Sequence, residues 1–441
     1  MTERRGLVRL TQDQLDMVVK RHEMFRNARV GGARAVLAGF DLCGLALEGR
    51  DLSHADFTGS VFRGANLKGA ILDCAVLFAC DLRLTNMEGA SLIKADLRGA
   101  VLRGANLSGA NLFDCDLRDG SLAQKQHDGT LKVVQVDTHP SDMEGANLSN
   151  ANLSNAKMSG SVAMHTDFTD AVMKGTKLVR ANLRNATLNG AILEGADLSG
   201  ADVRGASLRG AVLTGATMSM TELGGADLTG AMTDSSGGKT VDSLEAPLEE
   251  MIRRHGTWVG TAGQQGQALD LSGFDLRGQS LSRALLTRLV ACNAVFYGVD
   301  MSGAHIQVAQ LQESDFRTAN LAGADLRGTN LRAAKLNNAD LKGANLGALQ
   351  IDDSRSVRCD LSGSRLRYAD LSGAKLRRAN LAGADLSFAN LLQADLREAD
   401  LSRAILNGTR LTRDQLATVA AVEGTTGLPP GFTLGQPATP Q

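Results

Sequence analysis

Few groups in this 441-residue chain are placed to do chemistry. Gly238-Lys239-Thr240 has the ending of a phosphate-binding loop, in which glycines and a lysine cradle a nucleotide's phosphates. The glycine that should open such a loop is Thr233, no apolar strand precedes it, and no helix follows directly. His127 and His139 share one segment with Asp128 and Asp137, all capable of ligating a metal, but no cysteine or supporting donor pattern accompanies them. His22 and His255 occupy matched places in two similar segments, each on an apolar face, where packing or capping explains them better than catalysis. Aspartates abound, yet they recur at one fixed place in a short motif and so are not individual acid–base candidates. The reading is no catalytic residue, no metal and no cofactor: not an enzyme.

What positions these residues is a beat of five. From Leu42 to Leu122 every fifth position is Leu, Phe or Met. The beat resumes from Met143 to Leu228, failing only at Ala163, and from Leu271 to Leu411, failing only at Ala291 and Ser356. Five is neither the 3.6 of a helix nor the 2 of a strand, so it describes a repeat architecture. Two residues before each large apolar centre stands a small one (Ala65, Ala105, Ala196, Ala384), and one before it Asp or Asn (Asn66, Asp96, Asp197, Asp385). Two after it, glycine is common (Gly69, Gly99, Gly200, Gly323).

The unit A-(D/N)-L-x-G resembles that of the bacterial pentapeptide-repeat family. The resemblance implies an all-β solenoid, a right-handed quadrilateral β-helix with four pentapeptides per coil, the centre and the small residue pointing inward. A narrow coil holds one large and one small side chain per face, and glycine relieves its corners. The composition agrees: only 3% of residues are aromatic, and there are 49 glycines.

A larger duplication is superimposed. Leu15, Val18, Val19, His22 and Phe25 match Leu248, Met251, Ile252, His255 and Trp258, and Gly39-Phe-Asp-Leu42 matches Gly273-Phe-Asp-Leu276. Spacings of 3, 1, 3 and 3 put each set of five on one helical face. The second copy also resembles the helical entry module of bacterial pentapeptide proteins. The layout expected is a helical cap over 1–36 (helix near 11–27), a first β-helix over 37–232 with an insertion at 123–142, a linker and second cap over 233–268 (helix near 246–259), a second β-helix over 269–411, and a closing helix with a disordered tail over 412–441. Thr233 to Asp242 reads as flexible by composition. In the insertion, Asp128-Gly129 before Leu131-Lys-Val-Val-Gln-Val136 predicts a turn and a short strand. Thr412 and Gln415 form a capping-box pattern opening a helix that should run to about Val422, a candidate homodimer contact. At Ser356 a hydroxyl in the core would need a partner, predicting a bulged corner with Ser356 bonded to backbone or Val357 turned inward.

Net charge is −1, and acids and bases nearly balance along both repeat tracts, 11 against 8 over 37–122 and 15 against 18 over 269–411. No global field therefore draws the protein to nucleic acid or membrane. The start lacks a signal-peptide core and there is no long apolar run, which points to a cytoplasmic location. Six cysteines are scattered, and Cys80, Cys115 and Cys359 fall at the inward small position, so they read as small core residues rather than a disulfide set. If residues twenty apart stack, Lys335, Arg355, Arg358, Lys375, Arg377 and Arg378 share one basic face, and Tyr368 with Phe388 forms an aromatic pair at a corner near Arg365 and Arg367. These, with His127, Asp128 and Lys132 of the insertion, are the candidate partner-binding residues. The expected function is a non-catalytic scaffold presenting charged faces and a projecting loop to a protein partner. The alternative is the DNA mimicry that quinolone-resistance pentapeptide proteins practise on a type II topoisomerase, but their faces are strongly acidic and these are balanced.

Overall fold

The computed structural model describes residues 7–120, 122–125, 131–134, 139–235, 238–352, 354–428 and 432. The chain divides into two compact units, Met1–Ser235 and Ser236–Gln441. In each, residues twenty apart form parallel bridges, so a coil is four pentapeptides. One column runs Val36, Asp56, Val76, Asp96, Asp116. The centre's N–H donates one coil onward (Leu42 to the Val61 carbonyl, 2.7 Å) and the preceding residue's N–H donates one coil back (Val61 to the Phe40 carbonyl, 2.9 Å). A turn closes each corner, as where Ala65 N–H donates to the Phe62 carbonyl. This turn sets the residue two after the centre at positive φ, 63° at Gly69 but also 58° at Tyr368 and 59° at Phe388. A non-glycine residue there costs about 1–2 kcal/mol, which explains glycine's frequency at corners.

The centres and small residues line two separate buried cores, Leu15 to Leu213 and Leu248 to Val419. Each core is entered through a short strand and a helix. In the first unit β1 (Val8–Arg9) precedes α1 (Gln12–Arg26) and pairs parallel with β2 (Phe40–Asp41). The first coils then lead to an antiparallel hairpin, β3 (Leu122–Lys125) with β4 (Leu131–Val134). In the second unit β5 (Lys239–Thr240) precedes α2 (Leu248–Gly260) and pairs parallel with β6 (Phe274–Asp275). The linker is thus not flexible throughout: Lys239 and Thr240 are held by the first coil of the second unit, and the Lys239 ammonium lies 5.5 Å from the Phe274 ring centre. That strand geometry removes the phosphate-loop reading.

One histidine pins each helix to its coil. His22 Nδ1 accepts from Ala35 N–H at 3.1 Å and its Nε2 faces the Ser53 carbonyl at 3.1 Å. His255 Nδ1 accepts from Leu269 N–H at 3.0 Å and its Nε2 faces the Thr287 carbonyl at 3.0 Å. An accepting Nδ1 and a carbonyl at Nε2 require the neutral ring protonated at Nε2. Burial pushes both imidazoles below their ordinary pKa, although the carbonyls pull the other way. Phe25 stacks on His22 and Trp258 on His255.

Farther along the second unit a hairpin of β7 (Leu349–Gln350) and β8 (Ser356–Val357) interrupts the coil, and α3 (Arg413–Ala417) closes it. The expected capping box is present, Thr412 and Gln415 bonding each other's backbone N–H. The helix stops at Ala417 rather than near Val422, because the chain re-enters the ladder, Ala421 beside Asp400 and Thr426 beside Ile405. Leu416 is buried against the second core.

The column map also needs correction. Ser356 forms no bulged corner and Val357 does not turn inward. Both lie on β8, opposite Gln350 and Leu349, and Val357 is exposed. The ladder joins Asn330 to Asp360, Lys335 to Arg365, Asp340 to Asp370 and Asn345 to Lys375. Residues after the hairpin therefore stand two faces away from where steps of twenty would put them. In the first unit the jump joins Val101 to Asp142, the expected one-residue change of frame.

Candidate partner-binding surface

The aspartates are first accounted for by the coil. Oδ1 of the residue before a centre accepts the N–H of the residue after it, a group outside the ladder, as from Asp56 to Thr58 (3.0 Å) and from Asp370 to Ser372 (3.0 Å). Where that next residue is arginine, its guanidinium grips the same carboxylate, as in Arg98 with Asp96, Arg118 with Asp116, Arg204 with Asp202, Arg327 with Asp325 and Arg397 with Asp395. Burial raises the affinity of Asp116 and Asp325 for a proton, but these bonds outweigh it and hold both carboxyls below the usual range. Such groups are neutralised structural anions, unsuited to proton transfer near neutral pH. Burial pushes the Cys115 and Cys359 thiols up, away from thiolate chemistry. Among the described residues no cluster of three or more His, Cys, Asp or Glu could hold a metal ion, and no helix is long and apolar enough to cross a membrane.

What departs from the coil is the pair of hairpins. The first rises past Leu117. At its root a Cβ on Gly99 would lie 3.1 Å from the Gly120 Cα, and Ser141 Oγ sits 3.0 Å from Gly99 N–H and 2.7 Å from the Arg118 carbonyl. Lys132 lies on β4 opposite Gln124, whereas His127 and Asp128 fall outside the described residues.

The second hairpin leaves after Leu346, the centre stacked on Leu326. Its root rests on a bare corner: a Cβ on Gly328 would meet Leu349 Cβ and Val357 Cβ, each at 3.3 Å. Asp352 organises its tip, its carboxylate accepting from Ser354 N–H (3.0 Å), Arg355 N–H (2.8 Å) and Arg355 Nε (2.6 Å). Ile351 and Val357 are exposed on it, with Arg355 and Arg358.

The candidate basic residues divide between two sides of the coil. Ala348 N–H, at the hairpin root, donates to the Arg377 carbonyl (3.2 Å), placing Lys375, Arg377 and Arg378 beside the hairpin that carries Arg355 and Arg358. Glu398 partly neutralises this group, 2.6 Å from Arg377 and 3.6 Å from Arg378. Lys335 does not belong with them. It stacks between Asp315 and Arg365, two faces away and so opposite, its Nζ 3.9 Å from Asp315, where burial lowers its pKa. Tyr368 and Phe388 stack at 5.0 Å and 6°, at the corner of that opposite face. Ile351 and Asp352 were missed in the sequence, and Val357 was read as turning inward. The signals available were the broken beat at Ser356 and the turn-forming Asp352-Asp353-Ser354.

Coils of fixed pitch, a surface of paired charges and two seated hairpins define a repeat-built all-β solenoid scaffold. The chain belongs to the pentapeptide repeat family, whose model matches residues 41–77, 80–119, 141–162, 166–205, 191–230, 270–307, 309–347, 357–381 and 379–413. Its members form right-handed quadrilateral β-helices. Among solved structures, the pentapeptide repeat protein Rfr23 of the cyanobacterium Cyanothece 51142 is 32% identical over 32% of this chain and 91% of its own, at a TM-score of 0.24. Full-length QnrB1, a plasmid-mediated fluoroquinolone resistance protein, is 22% identical over 45% of this chain and 84% of its own, at 0.21. HetL of Nostoc sp. strain PCC 7120, involved in heterocyst differentiation regulation, is 22% identical over 91% and 92%, at 0.14. No curated protein matches the chain.

Proposed function

We propose that this chain is a non-catalytic protein-binding scaffold of the cytoplasm, built as two tandem β-helices over 37–232 and 269–411, each entered through a helical cap. The observation that carries this reading is the second hairpin. Ten residues leave an otherwise regular coil to hold Ile351, Val357 and Arg355 outward, next to Arg358 and beside Lys375, Arg377 and Arg378. A loop set on a rigid coil is where a scaffold concentrates recognition, and an apolar strip flanked by guanidinium groups suits a partner surface of aliphatic residues rimmed by carboxylates. Mimicry of duplex DNA toward a type II topoisomerase needs a face of free carboxylates, whereas several acids here hold an arginine two residues on and acids and bases nearly balance along the repeat tracts.

The test is capture of binding partners from a bacterial lysate on immobilised full-length protein, followed by mass spectrometry. Charge reversal at Arg355, Arg358, Arg377 and Arg378 should abolish capture of the specific partner and leave the thermal melt unchanged. Reversal of Lys335, on the opposite face, should not affect capture, nor should reversal of Arg63 and Arg103 on the first unit. Equal losses in all three variants, or none in any, would refute the reading.

A further inference from the structure

The two cores end on four coil ends, and three are covered. α1 closes the start of the first with Leu15, Val19 and His22, α2 closes the start of the second with Leu248 and His255, and α3 closes the end of the second with Leu416. The fourth, the last coil of the first unit around Met218, Leu223 and Leu228, has no such cover among the described residues of its own unit. Leu223 is 41% exposed and Leu228 36%, although both stand at the centre position that is fully buried in nearly every other coil. Met220, at the corner, is 92% exposed.

The backbone of this coil is open as well. Elsewhere a centre's N–H donates to the next coil, as Leu208 does to the Asp227 carbonyl at 2.7 Å. Among the described residues the N–H groups of Met218, Leu223 and Leu228 find no acceptor, and the carbonyls of Ala216, Thr221 and Ala226 find no donor. A row of unpaired strand groups around an apolar interior is an association template.

We infer that this end docks on the same end of a second copy. Each open strand offers a donor at the centre and an acceptor two residues before it, on the same edge. That is the pair an antiparallel ladder exchanges reciprocally with an identical strand, so a two-fold axis matches donor to acceptor and acceptor to donor at once. A partner must also present apolar centres spaced around a four-sided coil, and the only uncovered end of that shape among the described residues is this one. The contact is separate from the basic hairpin and does not depend on its function.

Sedimentation velocity on the full-length chain over a micromolar concentration series reads the association. A concentration-dependent dimer is expected. Met220→Asp, at a side chain the fold does not bury, and Leu223→Lys should each weaken self-association by at least about tenfold, with the far-ultraviolet thermal melt of Met220→Asp unchanged. Reversal of Arg355 and Arg358 should leave the dimer intact. A wild-type chain that stays monomeric throughout overturns the inference, as does a dimer that Met220→Asp leaves untouched. If Leu223→Lys lowers the melt, Met220→Asp alone decides.

Discussion

Asn330 and Asp360 are thirty residues apart in the chain and adjacent in the ladder. The ten residues in excess of one coil form the second hairpin with its flanks, and the coil on either side keeps its geometry. Deleting 348–357 should therefore join Gly347 to Arg358 and leave Cys359, Asp360 and Leu361 as a regular small–acid–centre unit. The expected result is a folded protein whose thermal melt matches the parent's but which no longer captures its partner. Deleting only five of those residues would instead turn every later column by one face and lower the melt.

The paired histidines predict a pH dependence. Folding lowers the pKa of His22 and His255, so the unfolded chain binds protons more readily than the folded one. Their contribution is complete above the unfolded value of about 6.5 and is lost as pH falls through that value toward the lower folded one. Melts recorded across this window should drop for the parent and drop less for a His22→Gln, His255→Gln variant. At neutral pH, His255→Ala should cost about 1–3 kcal/mol by leaving Leu269 N–H and the Thr287 carbonyl unsatisfied.

Asp315 and Arg317 form a bidentate pair with exposures of 5% and 3%. Burial alone would raise the Asp315 pKa, but Arg317 and, less strongly, Lys335 bring it below the ordinary carboxyl range. Its contribution is therefore present above the unfolded pKa of about 3.9 and disappears as pH falls below it. Arg317→Met should cost about 3–5 kcal/mol by stranding a buried carboxylate, whereas Asp315→Leu with Arg317→Met should restore most of the loss. Chemical denaturation of the three proteins checks this; equal stability of parent and single variant would contradict it.

Leu107 and Leu326 are both 1% exposed, at centre positions. Leu→Asp at either places a carboxylate in a dry coil, costing several kcal/mol if it stays ionised. Solenoid stability is mainly nearest-neighbour, so hydrogen exchange should accelerate first in the coils adjoining the substitution. Uniform acceleration over the whole chain, or none, would argue against that.

The beat of five identified the coil and its lining from sequence, since every inward centre must be large and every place two before it small. The matched segments around His22 and His255 likewise pointed to the helices at Gln12–Arg26 and Leu248–Gly260, because helix spacing and a shared Gly-Phe-Asp-Leu survive duplication. The aspartates were seen as part of the repeat, but not why: only the fold shows their Oδ1 accepting an N–H the ladder leaves over.

Which outward residues share a face was a matter for the tertiary structure. A ten-residue excursion is two whole beats, so counting passes through it in phase, while the chain beyond it arrives two faces away. That is why Lys335 parts from Arg377 and why Ser356 lies on a hairpin rather than in the core. The exposed end at Leu223 and Leu228 was equally hidden, for those residues obey the same pattern as every buried centre. An inward position is written in the local repeat; whether another layer covers it depends on what packs against the last coil.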